Sequence, residues 1–466
     1  MVNPPAPQGV EMVREGRCMQ RKGAWTAVWS PISLASIAAT LEQEGFQCQL
    51  VDCIIEGLGI EGLLSRAKKY PPHLAVINTA TPSIEADLKT AAMLKEAFPG
   101  ITTLAIGIHV TALPDDCLEM EPDLDGIVRG EPELTIREAA ERLRLKKSLA
   151  GVHGLSLRER DQIRHYPDRD SANLDKLPFP AWHLVKRDLY RMPFSNRPFL
   201  LVGTNRGCPY GCEFCADSTY YGRKIRLKSP ERLVRELDWI KTKFGIRDFL
   251  FWAESFTLNP EWTKDVAKAI IKARLDIAWV CNSRPDQVDP ELLERIHAAG
   301  CWMIGYGLES GSDEMLKAMN KKVTVDQNRE AVLMAKRAHL DVTAHMVIGF
   351  PGETEDTIRK TIEFARSLPL DFAQFYCAVP FPGSRLYIEA KKQGWLNTTD
   401  WTLFEQNYSV LDLPTMSAHE IMQWRRKAYY SFYLSPRRLL NIPGRFMSRS
   451  GISQMWRMLR EFRDWV

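Results

Sequence analysis

The stretch RGCPYGCEFCADS, residues 206–218, sets Cys208, Cys212 and Cys215 on one short loop with the spacing CxxxCxxC. It directly follows the apolar run FLLVGT (199–204), so the loop leaves the C-terminal end of a strand. Gly207, Pro209 and Gly211 let the backbone wrap closely around the thiols. Three thiolates on one tight loop suit three irons of a [4Fe–4S] cluster and leave the fourth iron without a protein ligand. An open metal position marks a site that binds something small. The plainer alternatives are zinc or a closed cluster with a distant fourth cysteine. Zinc normally draws a fourth Cys or His at matching spacing, and no further CxxC or HxxxH occurs in the chain.

Downstream, five more apolar runs alternate with helical stretches: DFLFWAES (248–255), DIAWVCNS (276–283), CWMIGYGLES (301–310), DVTAHMVIGF (341–350) and DFAQFYCAVP (371–380). Six βα units fit a partial (β/α)6 parallel barrel with functional residues at the strand C-terminal ends. Upstream, residues 1–145 show the same rhythm, with strands expected at 49–52, 74–78, 102–106 and 126–129 and helices near 61–70 and 84–97. In SPISLASIAATLEQEG (30–45), Leu34, Ile37, Ala38 and Leu41 share one helical face, Pro31 suits the first helical position and Gly45 the C-terminal cap. The fold class is α/β: a doubly wound, Rossmann-like domain (1–145), a polar hairpin and linker (146–195), the partial barrel (196–390) and a helical C-terminal region (391–466).

The 466 residues are 45% hydrophobic and 26% charged, values that exclude wholesale disorder. Net charge is +4, but residues 421–466 carry ten Lys/Arg against two acids, so the basic character belongs to the tail and does not imply a nucleic-acid partner. No run approaches 18 apolar residues and the start lacks a signal-peptide pattern, so a cytoplasmic protein is expected. In a reducing compartment, clustered cysteines are metal ligands rather than disulfides.

With Phe214 preceding the third cysteine, residues 198–390 resemble the radical S-adenosylmethionine (SAM) superfamily. The resemblance implies that SAM chelates the open iron and is cleaved to a 5′-deoxyadenosyl radical that abstracts hydrogen from unactivated carbon. It also implies SAM contacts from Phe214, from Glu254 at the second strand end, from Ser283 and Arg284 at the third, from Glu309 in GLESG (307–311), and from Ile348 in VIGFPGE (347–353). The paired glycines of the family's second strand end are absent here. Plainer readings make Glu309 a cap for a helix near Gly311, Arg284 a surface ion-pair partner and His345 a core histidine, with Cys281, Cys301 and Cys377 as packing residues.

The first domain carries NPP (3–5), NTATPS (78–83), GIHVT (107–111) and GEPE (130–133) at successive strand ends, an order that resembles the cobalamin-binding domain fused to many radical SAM enzymes. By that resemblance Pro4, Pro5, Thr79, Thr81, Gly107, His109, Thr111 and Glu131 face the corrin. The DxHxxG motif that supplies a cobalt-ligating histidine is missing after the first strand, so cobalamin is expected base-off with no histidine ligand. Only Met1 and Val2 precede Asn3, so either the start is placed late or that strand is very short. The plainer reading of Thr79, Thr81 and His109 is ordinary turn and strand-end chemistry.

The aromatic, Arg-rich tail (421–466) suits packing on the barrel, nucleic acid or an anionic membrane surface. Similar tails accompany enzymes that resemble the anaerobic magnesium-protoporphyrin ester cyclases, which points to a small or lipid-like substrate and to contact with the inner membrane face. Together the resemblances imply a C-methyltransferase using methylcobalamin, reduced by a flavodoxin- or ferredoxin-type donor, with no nucleic-acid partner. The alternative is a ring-forming or rearranging enzyme with the same cofactors. Methylthiolation would need a second cysteine triad, which Cys18, Cys48, Cys53 and Cys117 do not form, and a cobalamin sensor with a vestigial cluster is the non-enzymatic rival.

Overall fold

The N-terminal sheet is built on a strand of only two residues. The computed structural model describes residues 1–7, 12–15, 20–21, 27–160, 162–193 and 195–435. Seven strands, β1 (Val2–Asn3), β2 (Val51–Asp52), β3 (Leu74–Asn78), β4 (Thr102–Ile106), β5 (Gly126–Val128), β6 (Leu155–Glu159) and β7 (Gln162–His165), lie in the order β2-β1-β3-β4-β5-β6-β7. The first five are parallel, and Val2 pairs with both Val51 and Ile77. The chain order therefore reverses direction at β1, and the C-terminal edge beside such a switch point is where an open α/β sheet holds ligands. The hairpin expected between the domains joins this sheet as the antiparallel pair β6–β7.

Helices α1 (Ile32–Gln43), α2 (Ile60–Lys68), α3 (Ile84–Ala97) and α4 (Pro132–Arg144) cover the sheet. In α1, Pro31 occupies the N-cap rather than the first helical position, and Gly45 follows the Glu44 C-cap at φ 81°.

Six strands, β8 (Phe199–Gly203), β9 (Asp248–Trp252), β10 (Ala278–Ser283), β11 (Cys301–Glu309), β12 (Asp341–Ile348) and β13 (Phe372–Cys377), run parallel in sequence order and form the partial barrel. Three successive crossover helices, α5 (Pro230–Phe244), α6 (Pro260–Lys272) and α7 (Pro290–Ala298), start alike. A Ser229, Asn259 or Asp289 side chain accepts from a backbone N–H in the first turn, and proline takes the first helical position. Phe251 stacks on Trp279 at 4.2 Å in the core beneath α6.

An open barrel leaves two strand edges to satisfy. On the β8 side Ser30 Oγ accepts from the Leu201 N–H at 3.1 Å, and Trp29 packs on Trp252. On the β13 side, helix α8 (Ala418–Tyr433) lays polar side-chain tips along the edge. Tyr429 Oη accepts from Phe375 N–H (3.0 Å), Tyr433 Oη accepts from Ala373 N–H (3.2 Å), and Arg425 Nε donates to Phe375 O (3.1 Å). Trp424, Tyr429, Phe432 and Tyr433 thus pack on the barrel core, which is the packing reading; ISQMWRMLREFRDWV (452–466) lies outside the described residues. Among the described residues no helix is long and apolar enough to cross a membrane.

Candidate active site

The barrel encloses a cavity of about 730 Å³. Its mouth is the cysteine loop: Cys208, Cys212, Cys215 and Phe214 are half-buried and line it, with Ser283, Arg284 and Glu309 at the ends of β10 and β11. Gly207, at φ 86°, makes the tight entry; a Cβ there would lie 2.2 Å from Lys224 O. The loop is pinned by the turn after the helix Asp313–Ala318 and by the helix Arg385–Gln393. Asn320 Nδ2 donates to Gly211 O (2.7 Å), Glu213 N–H donates to Met319 O (3.1 Å), and Leu386 N–H donates to Glu213 O (2.9 Å).

Arg284 is buried, not a surface residue. It pairs with Asp286 (2.9 Å), donates to Lys321 O (2.7 Å), stacks 3.5 Å over the Tyr210 ring and brings Nη1 to 4.0 Å from Cys212 Sγ. Glu309 caps no helix. It sits at φ 62° at the end of β11 and forms a buried ion pair with Lys321 at 2.6 Å. A left-handed Glu is strained, and strain held in place by a buried pair is characteristic of functional sites. Lys321, Asp286 and Tyr210 were not singled out by the sequence. Lys321 lies in an ordinary polar run, MNKKV (319–323), whose backbone turns, with Asn320 and Lys322 at positive φ, carry no local signature.

Two expected SAM contacts lie elsewhere. Glu254 lines a separate crevice of about 40 Å³ with Asn205, Arg206 and Trp252, and Ile348 is fully buried while its neighbour Val347 faces the cavity. His345 is half-buried and lines the cavity, so it is not a core histidine. Cys281, Cys301 and Cys377 are buried, as packing residues are.

At the C-terminal edge of the first sheet, Pro4 is buried and Pro5 half-buried. Arg14 reaches both carbonyls, at 2.6 and 3.5 Å, and is ion-paired with the buried Asp87. Thr79 Oγ1 donates to Ile106 O (2.8 Å) and Thr111 Oγ1 to Gly107 O (2.7 Å). Gly107, at φ 136°, leaves no room for a Cβ, which would lie 2.7 Å from Thr79 Oγ1. His109 is 1% exposed; Nδ1 meets Thr81 Oγ1 at 3.3 Å, Trp401 packs edge-on at 4.7 Å, and Nε2 has no hydrogen-bond partner among the described residues. Burial pushes its imidazole down to about 3, so the ring is neutral. Glu131 does not face this edge freely: Arg206 and Arg226 hold both of its carboxylate oxygens.

With this geometry in view, residues 202–365 match the Radical SAM superfamily and residues 24–140 match the B12 binding domain. The chain is 34% identical over 412 residues to an uncharacterized methyltransferase of Pyrococcus horikoshii, covering 88% of this chain and 89% of that one. The chain belongs to the cobalamin-dependent radical SAM methyltransferase family. It is also 25% identical over 418 residues to the anaerobic magnesium-protoporphyrin IX monomethyl ester cyclase of Cereibacter sphaeroides (87% of this chain, 67% of that one). It shares the fold of the radical SAM methyltransferase TsrM from Kitasatospora setae, solved with cobalamin and a [4Fe–4S] cluster, at TM-score 0.67 and 18% identity over 80% of this chain and 74% of that one.

The residues of this family member fit the cofactors. Among the described residues no three Cys, His, Asp or Glu side chains converge on one point. Three half-buried thiols on one loop at the cavity wall suit three irons of a cluster. The sheet edge offers a close-packed glycine, small uncharged side chains and a buried ring nitrogen without a hydrogen-bond partner among the described residues, a donor set without charge that is compatible with a large macrocycle.

Proposed function

We propose that this protein transfers a methyl group to an unactivated carbon of a small, largely apolar molecule held in the barrel cavity. What carries the reading is the placing of the three cysteines at the mouth of that cavity, whose inner wall is dominated by side chains such as Trp302, Met303, Val280 and Phe372. Cys208, Cys212 and Cys215 would hold the [4Fe–4S] cluster. Phe214, Ser283, Arg284, Glu309 and Lys321 would hold SAM, the oppositely charged Glu309–Lys321 pair matching the ammonium and carboxylate of its methionine end. Pro4, Pro5, Thr79, Thr81, Gly107, His109 and Thr111 would line the corrin, and with no DxHxxG motif after the first strand no histidine would ligate its cobalt. When bound, these groups supply single-electron cleavage of SAM and methyl carriage on cobalt, with electrons from a flavodoxin- or ferredoxin-type donor.

The chain lines the inner cavity largely with apolar side chains, so that a reactive centre there meets few competing partners. The similarity to the cyclase of Cereibacter sphaeroides favours, as second reading, ring formation with the same cofactors. Anaerobic turnover of a cell extract with trideuteromethyl SAM tests both. A product that gains a labelled methyl supports transfer, whereas hydrogen loss at constant carbon count supports the cyclase reading.

A further inference from the structure

Arg206 stands two residues before Cys208, in a short antiparallel ladder that pairs Asn205–Arg206 with Arg226–Leu227 and forms the root of the cysteine loop. Its guanidinium leaves the barrel and crosses to the first domain. Nη1 donates to Glu131 Oε2 at 2.8 Å and Nη2 donates to Glu133 Oε1 at 2.5 Å. Arg226, its ladder partner, donates to Glu131 Oε2 at 2.9 Å and also to Oε1. Two arginines from the loop root thus face two carboxylates flanking Pro132 at the start of α4. The Glu131 and Glu133 side chains are 9% and 1% exposed. Burial alone would raise the Glu131 carboxyl, but the two arginines outweigh it and hold the group below its ordinary value.

Four compensating charges in a buried, forked arrangement resist displacement, because sliding one leaves another desolvated and unpaired. From this cluster the contacts run on to the sheet edge: Gly130 N–H donates to Thr111 Oγ1 (3.1 Å), and Thr111 Oγ1 donates to Gly107 O (2.7 Å). The loop that carries the cysteines and the loops that face the corrin are therefore joined through the two arginines, beside the apolar packing of Ala216 and Tyr220 on Ala80 and Ile108.

We propose that the Arg206–Glu131–Glu133 clamp is a positioning device that fixes the cluster loop against the corrin-holding edge and so sets the separation and orientation of the two metal centres. The inference rests on the cobalamin reading above. A loosened clamp leaves each centre intact but misplaced, and misplacement by about 1 Å costs on the order of 10²-fold in rate.

The test uses the anaerobically reconstituted holoenzyme and its Arg206→Gln, Arg206→Lys and Glu133→Gln variants. Iron, sulfide and cobalt contents are measured, and the magnetic interaction between cob(II)alamin and the reduced cluster is read by pulsed electron paramagnetic resonance. Wild type should give one narrow coupling. Arg206→Gln and Glu133→Gln should keep both centres yet show a broadened or shifted coupling, and a ratio of S-adenosylhomocysteine to 5′-deoxyadenosine from SAM changed about tenfold or more. Arg206→Lys, which keeps the charge but not the fork, should fall between. If Glu133→Gln and either Arg206 variant load both centres and reproduce the wild-type coupling and product ratio, the clamp is structural only and the proposal is overturned. Wild type that retains its cluster but no cobalamin would overturn the reading of the first domain, and the proposal with it.

Discussion

Cys212 is the middle cysteine of the loop, with Arg284 Nη1 at 4.0 Å from its Sγ. Cys212→Ala should leave fewer than four irons per chain and abolish 5′-deoxyadenosine formation from SAM under reducing, anaerobic conditions, with the melting temperature of the apoprotein unchanged. Full-rate SAM cleavage by the variant would contradict the assignment of the loop. Lys321→Met should weaken SAM binding, read by equilibrium dialysis, by at least about tenfold, because it leaves Glu309 buried without its partner and hydrogen bonds to charged groups are worth about 1.5–3 kcal/mol. The cysteines were legible because their spacing is local. Lys321 and Arg206 were not, since each acquires its role only when separate chain segments meet, as Arg206 does with Glu131 75 residues away.

Among the elements, α8 substitutes for a seventh strand. Its tyrosines and Arg425 satisfy backbone groups of β13 that would otherwise face an open edge. Tyr429→Phe removes one such bond and leaves the buried Phe375 N–H unpaired, which should cost about 1–3 kcal/mol of stability and speed amide exchange in β13 ahead of β9 or β10. Wild-type exchange across β13 would contradict this role. Gly311 makes a complementary point: a Cβ there would lie 2.5 Å from Lys360 O and 2.7 Å from Phe364 Cβ in the helix Glu355–Ser367. Gly311→Ala should therefore lower stability by about 1–3 kcal/mol in a denaturant titration.

The six barrel strands could be read from the sequence because each is a bounded apolar run followed by a helix with its own cap. The fate of the 146–195 hairpin and of α8 could not. Which sheet a hairpin joins, and which edge a helix covers, depend on contacts across the whole chain rather than on periodicity. The alternation of Tyr, Arg and Trp in α8 fits a solvated or membrane-facing surface equally well until the exposed edge of β13 is known.

Across the whole molecule, several carboxyls are buried where the domains and motifs converge. Burial pushes Glu353 up to about 8, although the Gly349 and Phe350 N–H groups donate to it, and Glu15, bonded to Ser33, up to about 7. Such a group keeps its proton in the folded state while the unfolded chain ionises near 4.5, so unfolding releases a proton. Stability contributed in this way is present below about pH 4.5 and is lost as pH rises toward 8, by at most about 1.4 kcal/mol per pH unit for one group. Glu353→Gln should flatten the decline of the urea midpoint between pH 5 and 8. A variant with the same slope as wild type would show that this carboxyl does not hold its proton.

The central claim, that one chain joins an open-site cluster to a cobalamin held without a histidine ligand, is most directly tested by electron paramagnetic resonance of the anaerobically reconstituted protein loaded with cob(II)alamin, read with its iron and sulfide content. The account predicts about four irons per chain and a base-off cobalt signal without nitrogen splitting. An intact cluster with no cobalamin retained, or a cobalt signal split by a protein nitrogen, would contradict it.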